Sequence, residues 1–461
     1  MEQKVLKQKQ FFMDGKTRSF SSRLHLLKKL KQVMLEQEPK LYAAMELDLH
    51  KSKLEVYATE LLPCLEELDY MIHHSQKKLR PKRKRMSLAG LPGFGTCTFQ
   101  PYGTVLILAP WNYPFQLAMM PLIGAIACGN TAIIKPSEYA PQTAALIAMM
   151  VEQVFAMEHA CVIQGDAEVS KELLAIPFDL IFFTGSTKVG QQVMEAASKH
   201  LTPVILELGG KSPCIVSETA DLAYAAKRIV WGKFLNAGQT CVASDHVYVQ
   251  EQVKEAFLKE IKKVVSQLCR QDETGVILDL CSIISSRHLA RLEAMVDPQK
   301  VVCGGSVNHV RRQMAITVLT NVTMEDACMQ EEIFGPLLPV LSYASFDQLT
   351  ATLQKQPRPL ALYYFGSSKH EIAAVQSRIS FGSGCINDVI LQVAQQNLPF
   401  GGIGASGMGR YHGYASIQAF TYEQSMLMKK PFFDLPLLYP PYHNRHNTVK
   451  KLMRFIGKER R

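Results

Sequence analysis

The first eighty residues place apolar side chains at helical spacing between charged ones. Leu24, Leu26, Leu27, Leu30, Val33 and Met34 make one apolar stripe, and 60–71 carries a second. This stretch predicts amphipathic helices, each buried along one face. From residue 102 the pattern changes. Runs at 105–109, 131–135, 161–163, 179–183 and 204–206 are short and mostly apolar, with helical stretches at about 115–128, 142–155 and 185–199. Apolar runs of this length, alternating with helices, predict a doubly wound, mostly parallel sheet covered on both faces. A second alternation begins at 213–216, passes through a helix near 222–235 and continues to about residue 410. Between the two styles lies 89–95, rich in Gly and Pro, which predicts a turn joining two short strands.

Length and composition bound this picture. A chain of 461 residues exceeds one ordinary core, at roughly 150 residues per domain. With 47% hydrophobic and 20% charged residues it is a folded globular chain and not a disordered one. No apolar run approaches the ~18 residues of a membrane-spanning helix, and the N-terminal segment lacks the apolar core of a secretory signal. The 11 cysteines are odd in number, scattered and without a CxxC pair. That usage predicts reduced thiols in a cytoplasmic protein. His370-Glu371 lacks the second His of a zinc-protease helix, and no metal site is expected.

The net charge of +10 is concentrated in 77–85 and 443–461, leaving the rest slightly acidic. A nucleic-acid-binding body is therefore not expected. In the second basic segment Val449, Leu452, Met453 and Ile456 follow helical spacing, with Lys450, Lys451, Arg454 and Lys458 on other faces. Such a helix suits weak contact with an anionic membrane surface; a frayed tail, or one packed on a partner, is the alternative.

Several motifs fail on inspection. Gly402–Gly407 has the GxGxxG spacing, but Leu398-Pro399-Phe400 before it and 408–413 after it predict a loop, where a dinucleotide fingerprint needs a strand and a helix. Gly185–Gly190 has P-loop glycine spacing, yet Gln191 and Gln192 stand where Lys and Ser/Thr are required. Gly210-Lys211-Ser212 has the right ending, with Ile205 in place of the first glycine.

Three residues carry candidate chemistry. Cys241 closes a small, polar, flexible-looking segment, 236–241, after a predicted helix, although a structural thiol is the commoner fate of a lone cysteine. Glu207 ends an apolar strand ahead of two glycines. Burial there would raise its pKa and suit a general base, and a salt-bridged strand end is the alternative. Asn112 directly follows a strand, where open α/β sheets bind ligands. Its amide suits a developing oxyanion, and a turn role is the alternative.

Six segments occur together in order: PWNYPF (110–115), KPSE (135–138), FTGSTKVG (183–190), LELGGK (206–211), GQTC (238–241) and EEIFGP (331–336). In this company the chain resembles the aldehyde dehydrogenase superfamily from its N-terminal helices past residue 420. The segment 399–413, the short N-terminus and Tyr439-Pro440-Pro441-Tyr442 resemble the class 3 and fatty-aldehyde branch. The resemblance implies an α/β aldehyde dehydrogenase fold. A Rossmann-like NAD(P)-binding domain would comprise 1–82 and 102–208, and an α/β catalytic domain 209–411. A bridging, oligomerising β element would comprise 83–101 and 412–442, followed by a basic tail, 443–461.

The resemblance also implies roles. Cys241 would attack an aldehyde to give a thiohemiacetal, then a thioester. Asn112 and the Cys241 N–H would hold the oxyanion, and Glu207 would activate the hydrolytic water. Trp111, Lys135, Glu138, Gly185, Ser186, Glu332 and Phe334 would line the NAD or NADP site, with Ser186 and its helix N-terminus at the pyrophosphate. Lys135 and Glu138 would meet the adenosine ribose, and Glu332 the nicotinamide ribose. Oxidation of apolar aliphatic or aromatic aldehydes by a homodimer is the implied activity, with cytoplasmic placement and peripheral membrane contact through the tail. The alternatives are an acylating enzyme that passes the thioester to CoA and a non-catalytic member of the fold.

Overall fold

The protein is described by a computed structural model covering residues 1–87, 93–429, 439–443 and 445–458. It divides into two units, Met1–Leu79 with Pro101–Tyr422, and Arg80–Gln100 with Glu423–Arg461.

The larger unit holds two large sheets and a two-stranded pair, Val307–Asn308 with Gln313–Met314. In the first, strands lie in the order Gly407–Met408, Val204–Leu208, Leu180–Gly185, Thr104–Leu108, Thr131–Lys135 and Ala160–Val162. All are parallel except the edge strand Gly407–Met408, where Gly407 pairs with Glu207. The apolar runs are explained by burial on both faces. Val105, Ile107, Ile134 and Phe182 belong to one core cluster, and Leu106, Ile133, Ile181 and Phe183 to another. Helix Gln116–Cys128 is buried along its whole length and packs on the first of these faces. The amphipathic helices of the N-terminal segment add Leu27, Leu30, Met34, Leu68 and Met71 to the same cluster. Each fully buried Leu or Met contributes roughly 2 kcal/mol. The segment Lys53–Leu79 is interrupted by a wider, π-helical turn at Tyr57–Leu61.

The second sheet runs in the order Val301–Cys303, Thr317–Leu319, Leu337–Tyr343, His246–Gln250, Pro213–Val216, Ala361–Phe365 and Ser383–Ile386. Only its first edge strand is antiparallel.

In the smaller unit, Lys82–Lys84, Gly93–Pro101 and Thr421–Lys429 form a three-stranded sheet, with Lys82–Lys84 antiparallel to Gly93–Pro101. Most of the expected turn at 89–95 lies outside the described residues. The division near 422 differs from the expected boundary at 412. Helix Tyr414–Ala419 and Phe420 belong to the main core, where Phe420 packs so closely on Gly124 that a Cβ there would collide with its ring. The basic tail contains a helix, His446–Lys458. Val449 is exposed on it, and the side chains of Leu452, Met453, Ile456 and Lys458 lie outside the described residues. No helix among the described residues is long and apolar enough to cross a membrane.

Candidate active site

Helix Leu222–Phe234 opens on Asp221, whose side chain accepts from the Tyr224 N–H, and gives way to a tight 3-10 turn. Asn236 (φ 52°) and Ala237 (φ 50°) are both left-handed there, each at a cost of roughly 1 kcal/mol. Hydrogen bonds hold them in place. Asn236 Nδ2 donates to Asn112 O (2.9 Å) and Gln239 O (3.0 Å), and the Asn236 N–H donates to Glu55 (2.8 Å). Gln239 Nε2 donates to Ser282 O (3.1 Å), and its Oε1 accepts from Ile284 N (2.9 Å). The expectation of a flexible segment is therefore corrected. Small residues are needed because the turn is buried, and Gly238 (φ 70°) passes so close to Gly335 O that a Cβ would collide.

This turn delivers Cys241, half-buried, to the wall of a cavity of about 1050 Å³ that Asn112 and Glu207 also line. Asn112 is buried and donates through Nδ2 to Gln239 O at 3.0 Å. Glu207 is buried at the penultimate position of strand Val204–Leu208, and neither carboxylate oxygen meets a protein donor among the described residues. Desolvation pushes its pKa well above the usual carboxylate range, with Arg410 offsetting part of the effect. Burial likewise pushes the Cys241 thiol up, and the Glu332 and Glu207 carboxylates add to it.

The same cavity continues over the carboxyl ends of the first sheet. Leu108, Lys135, Gly185 and Gly209 mark four strand ends on its wall. This is the position at which open α/β sheets take ligands. Ser186 caps helix Thr187–Ser198, accepting from Val189 N at 3.4 Å, and the first turn of this helix lines the cavity. Lys135 and Glu138 form an ion pair of 2.8 Å on the wall. Glu332 lies against Gly209, where any Cβ would meet its carboxylate. Burial, and then Asp245, push the Glu332 pKa up to about 8. Phe334, at φ 49°, stands edge-on to Trp111 with centroids 5.4 Å apart. A helix N-terminus able to take a phosphate, a polar pair able to meet a ribose and a glycine cradle beside a carboxylate fit a dinucleotide.

The aldehyde dehydrogenase family pattern matches residues 5–426. The chain belongs to the aldehyde dehydrogenase family. It is 42% identical to the 4,4'-diaponeurosporen-aldehyde dehydrogenase of Staphylococcus aureus, over 98% of each chain. It is 39% identical to aldehyde dehydrogenase family 3 member A2 of Mus musculus, over 100% of this chain and 95% of that one. These similarities place it in the class 3 branch. A solved structure described as the substrate bound state of Staphylococcus aureus AldH superposes with a TM-score of 0.94 at 41% identity, covering 98% of this chain and 99% of that one. The protein is an enzyme that oxidises aldehydes to carboxylic acids with NAD or NADP as cofactor.

In this aldehyde dehydrogenase, sequence reasoning missed the groups that fix the Glu332 loop. Asp245 is buried, accepts from Ile333 N at 2.9 Å, and meets Lys211 Nζ at 2.5 Å. Lys211 also donates to Cys328 O and Glu331 O, each at 2.9 Å. Arg291 Nη2 donates to Ile333 O at 2.5 Å. The LELGGK lysine thus serves the EEIFGP loop and does not line the cavity. Burial alone would raise the Asp245 pKa, but the bond from His246 and the charge of Lys211 outweigh it and hold the carboxyl well below its usual range.

A depressed carboxylate stabilises the fold above its unfolded pKa of about 4 and loses that contribution as pH falls below it. Asp245→Asn is therefore expected to cost about 3 kcal/mol in urea unfolding at neutral pH. The gap from the native enzyme should narrow below about pH 4. A loss under about 0.5 kcal/mol at neutral pH would show that Asp245 is not the anchor of this loop.

The GxGxxG-like segment also has a place. Leu208 N donates to Ser406 O at 3.1 Å, and Gly401 lies against Glu207, so the loop walls the carboxylate.

Proposed function

We propose that Cys241 is the nucleophile, Asn112 Nδ2 and the Cys241 N–H the oxyanion donors, and Glu207 the general base. The supporting observation is that Cys241, Asn112 and Glu207 share one cavity wall with Trp111, Lys135, Glu138, Gly185, Ser186, Glu332 and Phe334. Cys241 Sγ, as thiolate, bonds to the aldehyde carbon, and the carbonyl electron pair becomes an alkoxide held by the two donors. NAD(P), held by the residues named above, would supply the hydride acceptor for collapse of that alkoxide. Cys241 then carries a thioester. Glu207 takes a proton from water as its oxygen bonds to the acyl carbon, and the Cys241 thiolate departs as the acid is released.

Lys135 and Glu138 are the adenosine ribose contacts in this reading, Ser186 and its helix meet the pyrophosphate, and Glu332 holds the nicotinamide ribose. The name of the Staphylococcus relative supports apolar aldehydes as substrates. A panel of aliphatic and aromatic aldehydes, run with NAD and with NADP, is expected to favour apolar chains. Turnover should be the same with and without CoA or phosphate. Turnover that required CoA would instead favour acyl transfer.

We read the protein as a homodimer placed in the cytoplasm. The basic helix His446–Lys458 supports weak contact with anionic membranes. Equal co-sedimentation of the full chain and residues 1–442 with phosphatidylserine vesicles would remove that contact.

A further inference from the structure

The two proposed oxyanion donors sit on separate loops, so something has to set them relative to each other. Asn112 follows the Thr104–Leu108 strand, whereas the Cys241 N–H follows the left-handed turn after helix Leu222–Phe234. One short stretch of the N-terminal helices touches both loops. Glu55 is buried, and its carboxylate accepts from the Asn236 N–H at 2.8 Å, at the first left-handed residue of the nucleophile turn. Glu60 is wholly buried and accepts from Phe115 N (3.1 Å) and Gln116 N (2.9 Å), where the Asn112 loop enters its helix.

Lys51 closes the group. Its ammonium is buried, 2.8 Å from Glu60 Oε1 and 4.2 Å above the Tyr113 ring. Tyr113 in turn has its hydroxyl 2.7 Å from Thr240 Oγ1, next to Cys241. Glu60 lies within the π-helical turn Tyr57–Leu61 and is buried there. Such bulges recur at functional sites because they redirect one side chain. Two carboxylates and an ammonium removed from water carry a desolvation cost that hydrophobic packing would avoid. Here all three are spent on backbone and aromatic groups of the two loops.

We propose that Glu55 and Glu60, held by Lys51, are positioning residues that set the Asn112 amide and the Cys241 N–H into one oxyanion hole. The inference rests on the roles proposed for Asn112 and Cys241. It adds that the hole is assembled from a third element. A shift of about 1 Å in either donor is enough to slow the chemical step by about 10²-fold.

The test follows the pre-steady-state burst of NAD(P)H in the full-length enzyme, with cofactor affinity and thermal unfolding measured alongside. Glu55→Ala is expected to slow the burst about 30-fold or more, with cofactor affinity unchanged. Glu55→Asp, which keeps the charge but withdraws the acceptor, should slow it similarly. Glu55→Gln keeps an acceptor for the Asn236 N–H and should recover most of the loss. Asn112→Ala by itself should slow the burst about 10²-fold. In that background, adding Glu55→Asp should cost less than about 3-fold more, because both changes damage one hole.

A normal burst in folded Glu55→Asp, or equal losses in the presence and absence of Asn112, would overturn the positioning role alone. A normal burst in Asn112→Ala would overturn the proposed oxyanion hole itself, and the inference with it. If Glu55→Ala does not fold, the Asp and Gln variants decide the question.

Discussion

Replacing Cys241 by alanine is expected to reduce aldehyde-dependent NAD(P)H formation by about 10⁴-fold or more, because no other group can form the thioester. Ten other cysteines cannot substitute for it. Those classed as buried, among them Cys64, Cys128, Cys214 and Cys281, have thiols that burial pushes up. Other half-buried cysteines, Cys269, Cys303 and Cys385, are not on the cavity wall. Cofactor affinity should survive in the variant, since the residues proposed to hold the dinucleotide are untouched. The raised thiol pKa has a second consequence. A thiolate reacts and a thiol does not, so alkylation of the cofactor-free enzyme by iodoacetamide should keep accelerating as pH rises through the alkaline range. A rate that levels off near neutrality would mean that the thiol is activated without cofactor. Retained turnover in Cys241→Ala would remove the proposed nucleophile.

Glu207→Gln is expected to separate the two halves of the reaction. The thioester should still form, giving a burst of NAD(P)H, while steady turnover falls about 10³-fold for want of a base. Burial raises the Glu207 pKa, and only the ionised carboxylate can accept a proton from water. Deacylation in the native enzyme should therefore increase as pH rises through that raised pKa. In the Gln variant this dependence should disappear. Mass spectrometry of the quenched variant should find the acyl group on Cys241. A fast steady state with no acyl-enzyme would assign the base elsewhere. The two variants are diagnostic together: Cys241→Ala should lose the burst, and Glu207→Gln should keep it.

Much of the fold could be read directly from the chain, for a physical reason. Parallel strands buried on both faces must be apolar along their centres, and 105–108, 132–134 and 180–183 are. The expected helices end within a few residues of the observed ones, since Cys128 runs into Gly129, a left-handed glycine that stops its helix. The compact units part near 422 and not at 412, and helix Tyr414–Ala419 joins the larger one, where Phe420 meets Gly124, a contact far apart in sequence. The supposed flexibility of 236–241 failed for a related reason. Small residues mark mobility on a surface, but in a buried turn they mark close approach.

The site divides along the same line. Cys241, Asn112 and Glu207 could be proposed from the chain alone because the chemistry expected of them depends on residue type next to a strand or turn, and the six ordered segments carry that locally. Glu55, Glu60 and Lys51 left no such signal. In the sequence they are three charges on an amphipathic helical stretch, indistinguishable from a solvated face. Asp245 and Lys211 were silent too, since an Asp followed by His and a Lys after two glycines name no partner.

The sequence by itself determined the two alternating α/β blocks and the family, and it was enough to propose the reacting groups, because periodicity, glycine placement and side-chain chemistry are local properties. Only the tertiary structure decided which charges are buried and what they hold. Ion pairs such as Lys51–Glu60 and Lys211–Asp245 join residues from separate elements, and their meaning depends on the absence of water around them.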